Sequence, residues 1–114
     1  MYPNDPIYAA GLHSIRAVGG WVYIAGGVNG IIVYRKTTTN SPTDFIAVER
    51  TSTALPDDPD AKVKVQSDNF TLKDTISGSK WQIFDGGLIS GPAVQNLRLY
   101  SAIFDGNNTL TIRN

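Results

Sequence analysis

The stretch Ser77-Gly-Ser-Lys-Trp-Gln-Ile-Phe-Asp-Gly-Gly-Leu-Ile-Ser-Gly-Pro-Ala-Val-Gln-Asn-Leu-Arg-Leu-Tyr100 decides how the chain is read. Trp81 and Ile83 alternate with Lys80 and Gln82, the two-residue period of a strand with one buried face. Asp85-Gly86 supplies the turn that ends it. Gly91-Pro92 then makes a rigid corner, because proline fixes its own φ, and Leu97 and Leu99 open a new alternating run.

The same alternation of short strand and turn extends outward. Trp21 to Ala25 is rich in aromatic and β-branched residues, Gly26-Gly27-Val28-Asn29-Gly30 is a flexible turn, and Ile31 to Lys36 returns as the partner strand of a hairpin. Phe45-Ile46-Ala47-Val48 is a continuous apolar run, expected of a strand covered on both faces. Residues 51–60, with Pro56, Asp57, Asp58, Pro59 and Asp60, cannot hold a ladder and form a surface loop. Lys62 to Gln66 and the set Phe70, Leu72 and Ile76 predict two further strands, and Asp105-Gly106-Asn107-Asn108 joins a last hairpin of residues 95–104 and 109–113. Residues 1–11, with two prolines, read as an extended lead-in, and 12–18 as a loosely alternating run. The expectation is an all-β domain, a small antiparallel sandwich or barrel of about nine to ten short strands with little or no helix.

At 114 residues the chain has the length of one domain spanning 1–114. Ten basic and ten acidic side chains cancel, and no segment of the sequence concentrates Lys or Arg, so the footprint of a nucleic-acid binder is absent. No apolar run is long enough to span a membrane, and no basic-then-apolar leader stands at the start. There is no cysteine, hence no disulfide, thiolate nucleophile or sulfur-based metal site.

The order Gly78-Ser79-Lys80-Trp81, Asp85-Gly86, Gly91-Pro92-Ala93, Leu97, Tyr100 resembles the second half of a Rieske iron–sulfur domain, where Cys-x-x-His-Gly-Ser-x-Phe is followed by an Asp-Gly turn and Gly-Pro-Ala. Trp81 stands where that family usually has Phe. The first ligand pair of the family, Cys-x-His, follows a strand ending much like Phe45 to Thr51. The four positions matching the cluster ligands are thus Ser52, Ala54, Asp74 and Ser77. Asn4-Asp5-Pro6, the hairpin from Gly19 to Arg35 and the Gly91-Pro92-Ala93 corner are also similar to small Rieske-like proteins and lipoproteins of Bacteroidetes-type bacteria. The resemblance implies a Rieske-type β fold, a former cluster-binding subdomain at 51–79 with ligand loops 51–60 and 74–79, a periplasmic or outer-membrane location, and a native lipid anchor outside this chain.

The chemistry of the residues argues against a cluster and hence against an electron carrier. A Rieske centre takes two thiolates and two imidazoles, whereas this chain has no thiol and a single imidazole, His13, outside both loops. Ser and Asp oxygens are hard ligands poorly matched to iron sulfide. His13 reads as an ordinary strand histidine, Asp57, Asp58 and Asp60 as a solvated turn, and Ser52 and Ser77 as small polar fillers with no base beside them. The glycines at 26, 27 and 30 could cradle a phosphate, but no helix follows them, and a hairpin turn accounts for them better. No cofactor and no catalytic residue is expected.

The leading expectation is a non-enzymatic, cluster-free domain with a structural or protein-interaction role. Its two former ligand loops pack as a tip held by Ser52, Asp74 and Ser77. The alternative is a small-ligand or carbohydrate-binding β-module, in which Trp21 or Trp81 faces the ligand. Exposure of the two tryptophans separates these readings, since a platform needs one of them open to water.

Overall fold

The computed structural model describes residues 8–11, 19–36, 44–104 and 109–113. His13, the run 12–18, the connection 37–43 and the turn 105–108 lie outside the described residues. The strands are β1 (Tyr8–Gly11), β2 (Trp21–Ile24), β3 (Ile31–Arg35), β4 (Phe45–Glu49), β5 (Lys64–Val65), β6 (Thr71–Lys73), β7 (Lys80–Gln82), β8 (Leu88–Ser90), β9 (Leu99–Phe104) and β10 (Thr109–Arg113). They form two antiparallel sheets, one of six strands in the order β1-β10-β9-β4-β3-β2 and one of four in the order β5-β6-β7-β8. The fold is all-β, as the alternating patterns predict.

Two adjacent strands explain the architecture. β4 and β9 pair through Ala47 with Tyr100 and Val48 with Leu99, yet the whole four-stranded sheet lies between them in sequence. That sheet is therefore an excursion from the middle of the larger one. Its last strand ends at Ser90.

Successive side chains on a strand point to opposite faces, so the unbroken apolar run on β4 serves two cores. Phe45 and Ala47 join Ile31, Val33, Tyr100, Leu110 and Ile112. The six-stranded sheet has to curl for β3 to meet β10 across the intervening strands, giving a half-barrel. Ile46 and Val48 join Ile32 on the other face and pack against Val63, Leu72, Trp81, Ile83, Ala93 and Leu97 of the excursion. Burying side chains of this size stabilises by roughly 1.5–3 kcal/mol each, which makes this second core the bond between the sheets.

The structure departs from the sequence reading in four places. β8 was not foreseen, because Leu88 and Ile89 stay partly or largely in solvent and a register shift opposite Lys80 and Trp81 removes the alternation that would mark a strand. Ile76 is not on a strand; it stands 57 % exposed in the turn after β6. The loop 51–60 runs into a 3-10 turn, Pro59–Ala61, with Pro in its first turn and the Asp58 carboxylate accepting from the Asp60 N–H at 2.9 Å. The end of the 1–11 lead-in is β1, paired with β10.

Candidate functional site

Three loops meet at the far end of the excursion: residues 51–60 after β4, 74–79 between β6 and β7, and 91–96 after β8. The second loop is a tight turn. Its ends are tied by Gly78 N–H to Asp74 C=O at 2.8 Å and Asp74 N–H to Ser79 C=O at 3.1 Å. Gly78 holds φ at +83°, a conformation that side chains with a Cβ rarely adopt, and this brings the chain around.

The loop turns inward on Asp74, whose side chain is completely buried. One carboxylate oxygen accepts from the Ile76 N–H at 2.8 Å and the Ser77 N–H at 3.2 Å, staples within its own turn. The other accepts from the Ser77 hydroxyl at 2.7 Å and, across the gap between loops, from the Ser52 hydroxyl at 2.7 Å. Burial alone would raise the carboxyl pKa, but the Ser77 and Ser52 hydroxyls and the two backbone N–H groups favour the ionised form and hold it below the usual range.

The network continues outward. Ser77 has one hydroxyl proton, and that proton goes to the carboxylate. The 2.9 Å contact between Ser77 and Ser79 is therefore donated by Ser79, which also accepts from the Ala93 N–H at 2.9 Å. Ser52 in turn accepts from the Ala54 N–H at 3.2 Å, forming its own small turn. The third loop is bound by the Gln95 carbonyl, which accepts from the Thr53 hydroxyl at 2.8 Å and from the Trp81 indole N–H at 2.9 Å.

Of the four positions matching the cluster ligands, the structure thus brings Ser52, Asp74 and Ser77 into one hydrogen-bonded network centred on the buried Asp74. Ala54 contributes its backbone N–H, and its methyl packs on the second core. These residues do not fit a [2Fe–2S] group. The donor set lacks thiolate and imidazole, and the oxygens at two of the positions are hydrogen-bonded directly to each other, leaving no gap for an iron between them. Among the described residues no three His, Cys, Asp or Glu side chains gather as metal ligands, the Asp57, Asp58 and Asp60 loop included.

The two tryptophans of the alternative reading differ in exposure. Trp81 is 0 % exposed and is the largest fully buried side chain of the core, so it cannot face a ligand. Trp21 is half-buried, its indole N–H held by Asn69 at 3.2 Å and its ring edge-on to Tyr23. The Tyr23 face is covered by Arg50, whose guanidinium carbon lies 3.9 Å from the ring centre.

Sequence reasoning missed a second buried carboxylate, Glu49, at the end of β4. It accepts five hydrogen bonds, from the N–H groups of Val28, Asn29 and Thr51 and the hydroxyls of Thr51 and Tyr100, at 2.6–3.1 Å. Burial works against its charge, and the Tyr100 hydroxyl, the Val28 and Asn29 amides and Thr51 more than offset it, so its pKa also falls. The glycine turn at 26–30 is a hairpin turn, as expected, and its amides do cradle an anion, but one supplied by the chain itself. Glu49, Thr51 and Ser52 line a cleft of about 190 Å³ with Val28, Thr53, Pro56, Gln95 and Arg98.

No protein-family model, no curated protein and no solved structure matches the chain. No helix among the described residues is long and apolar enough to cross a membrane.

Proposed function

We propose that the chain is a cluster-free Rieske-like domain with no catalytic step of its own, whose former ligand loops act as a structural tip that docks on another protein. One observation supports this reading: Ser52 and the Asp74–Ser77 pair, from two loops separated in sequence and matched to ligand positions by resemblance alone, meet at one hydrogen-bonded centre on the buried Asp74 carboxylate. A carboxylate with its hydroxyl partners performs there the cross-linking of two loops that a cluster performs in the family it resembles. The rim of the same tip carries apolar side chains in water, Ile76 at 57 % and Val94 at 86 % exposure, which suit a protein contact better than a catalytic cleft. A periplasmic or outer-membrane setting, with a lipid anchor outside the chain, belongs to the same proposal.

The test is iron and sulfide analysis with a visible spectrum on protein produced with both supplied. The expected result is a colourless, iron-free protein, and charge-transfer bands would overturn the reading. A second arm examines the loop match itself. The quadruple variant Ser52→Cys, Ala54→His, Asp74→Cys, Ser77→His should gain iron and colour, and a folded variant that stays colourless would count against these loops being former ligand loops.

A further inference from the structure

The outer face of the four-stranded sheet carries an arrangement the tip does not explain. Lys64 on β5 stands directly opposite Lys73 on β6, and Lys73 directly opposite Lys80 on β7. Residues paired in register project to the same face, with Cβ atoms about 5 Å apart in such pairs. Three ammonium groups therefore form a row across three strands. Leu72 and Trp81, on the opposite parity, point into the core, so the lysine row faces away from it.

Like charges directly opposite on a sheet are destabilising. Among the described residues none of the three ammonium groups makes an ion pair or a hydrogen bond that would relieve this. The acid that lines the same cleft is Asp68, and its carboxylate is committed to its own turn. Its carboxylate accepts from the Phe70 N–H at 2.9 Å, the Thr71 N–H at 2.8 Å and the Thr71 hydroxyl at 2.6 Å, closing its own turn. Lys73 and Lys80 line a solvent-open cleft of about 220 Å³ with Gln66, Ser67, Asp68 and Thr71. The Ser67 hydroxyl there has no partner among the described residues and is a free donor.

We propose that this cleft binds a phosphate or sulfate monoester, with Lys73 and Lys80 contacting its oxygens, Lys64 adding charge from the adjacent strand, and the Ser67 hydroxyl donating to it. Compact ammonium groups on flexible stems suit such an anion as point charges, and the anion removes the repulsion between them. The shared chemistry is the tetrahedral oxyanion, whether free in solution or on a lipid headgroup. This inference is independent of the tip and of the family reading.

Thermal unfolding with inorganic phosphate, against sodium chloride at equal ionic strength, is the test. Wild type should gain several degrees more from phosphate than from chloride. Lys73→Gln and Lys80→Gln should melt higher than wild type at low salt and bind phosphate roughly fivefold to tenfold more weakly. Lys36→Gln, which removes an exposed charge just past the end of β3, should respond as wild type does. Flotation with phosphatidylcholine vesicles containing phosphatidic acid separates the sources: retention lost in Lys73→Gln supports a headgroup, and phosphate binding without retention supports a soluble monoester. A phosphate effect equal to that of chloride, or one unchanged in Lys73→Gln and Lys80→Gln, would overturn the site.

Discussion

Glu49 and Asp74 are both buried carboxylates at strand ends, both held ionised by hydrogen bonds, and they do different work. The donors to Glu49 come from the β2–β3 turn, from Thr51 just past β4 and from Tyr100 on β9, so its charge joins separate parts of the six-stranded sheet. Asp74 takes three of its four donors from its own turn, and only Ser52 reaches it from another loop. The first carboxylate is a hub of the scaffold, whereas the second is a clasp between two loops mounted on it. Damage at Glu49 should therefore be felt globally and damage at Asp74 locally.

The harshest test crowds the hub without touching its charge. Gly27 holds φ at +61°, and a Cβ built there would overlap Glu49 Oε1 and lie 2.6 Å from the Tyr100 hydroxyl oxygen. Gly27→Ala combines left-handed backbone strain with a collision that the buried carboxylate cannot step away from. The expected loss is about 3–4 kcal/mol in urea unfolding. A loss under about 1 kcal/mol would mean that the cradle around Glu49 is loose and the hub a misreading.

Next come the isosteric neutralisations. Glu49→Gln turns an acceptor of five hydrogen bonds into an amide whose NH2 must face donors, at a cost of about 3 kcal/mol. Asp74→Asn should cost about 2 kcal/mol, since two of its donors are turn amides that water can reach once the turn loosens. Hydrogen exchange sharpens the contrast. Asp74→Asn should release protection in residues 51–60 and 74–79 alone, while Glu49→Gln lowers it across β2, β3 and β9. Equal, global loss in both variants would erase the distinction.

The two carboxylates were not equally legible in the sequence. The strands β2, β3, β4, β9 and β10 of the larger sheet were, because alternation, apolar runs and flanking turn residues mark them, with the two-faced β4 read from four consecutive apolar residues, whereas β1 reads only as an extended lead-in. Asp74 was found only because resemblance put it at a ligand position, and Ser52 and Ser77 with it. Glu49 had no such marker: a single Glu between Val48 and Arg50 looks like any strand-end charge, and its donors are backbone N–H groups, which have no residue code. Trp81 alternates with Lys80 and Gln82 and shares its parity with Ile83, which marks the buried face on which the structure places it. The lysine row, by contrast, was hidden. Lys64, Lys73 and Lys80 are scattered in sequence, and only strand register makes them neighbours.

The clasp can be divided further. Ser52→Ala and Ser77→Ala each remove one hydroxyl from the same Asp74 oxygen, and each should cost about 1 kcal/mol. The double variant should lose more than the sum, because the carboxylate is then buried with only its own turn to stabilise its charge. Strict additivity in a double-mutant cycle would indicate that Ser52 and Ser77 act on separate partners and that no shared centre joins the loops.

The smallest effect lies in the pH dependence, and it separates the two regions most cleanly. Both carboxylates have folded pKa values below their ordinary ones, so each contributes stability that is present above the unfolded value and lost as pH falls through the lowered one. Tyr100 runs the other way. Burial, then its hydrogen bond to Glu49 and the carboxylate charge, raise it to about 12. Its contribution is complete below the ordinary phenol value near 10 and is lost as pH climbs towards 12. Only the hub therefore has an alkaline limb. Asp74→Asn should flatten the acid limb of stability against pH and leave the alkaline limb intact. Glu49→Gln should flatten the acid limb and also shrink the alkaline one, because burial alone then holds the phenol up. Following Tyr100 ionisation by ultraviolet absorbance in each variant, with Tyr100→Phe as the blank, checks the assignment. An alkaline limb that survives Glu49→Gln unchanged would uncouple the phenol from the carboxylate and reduce the hub to its backbone cradle.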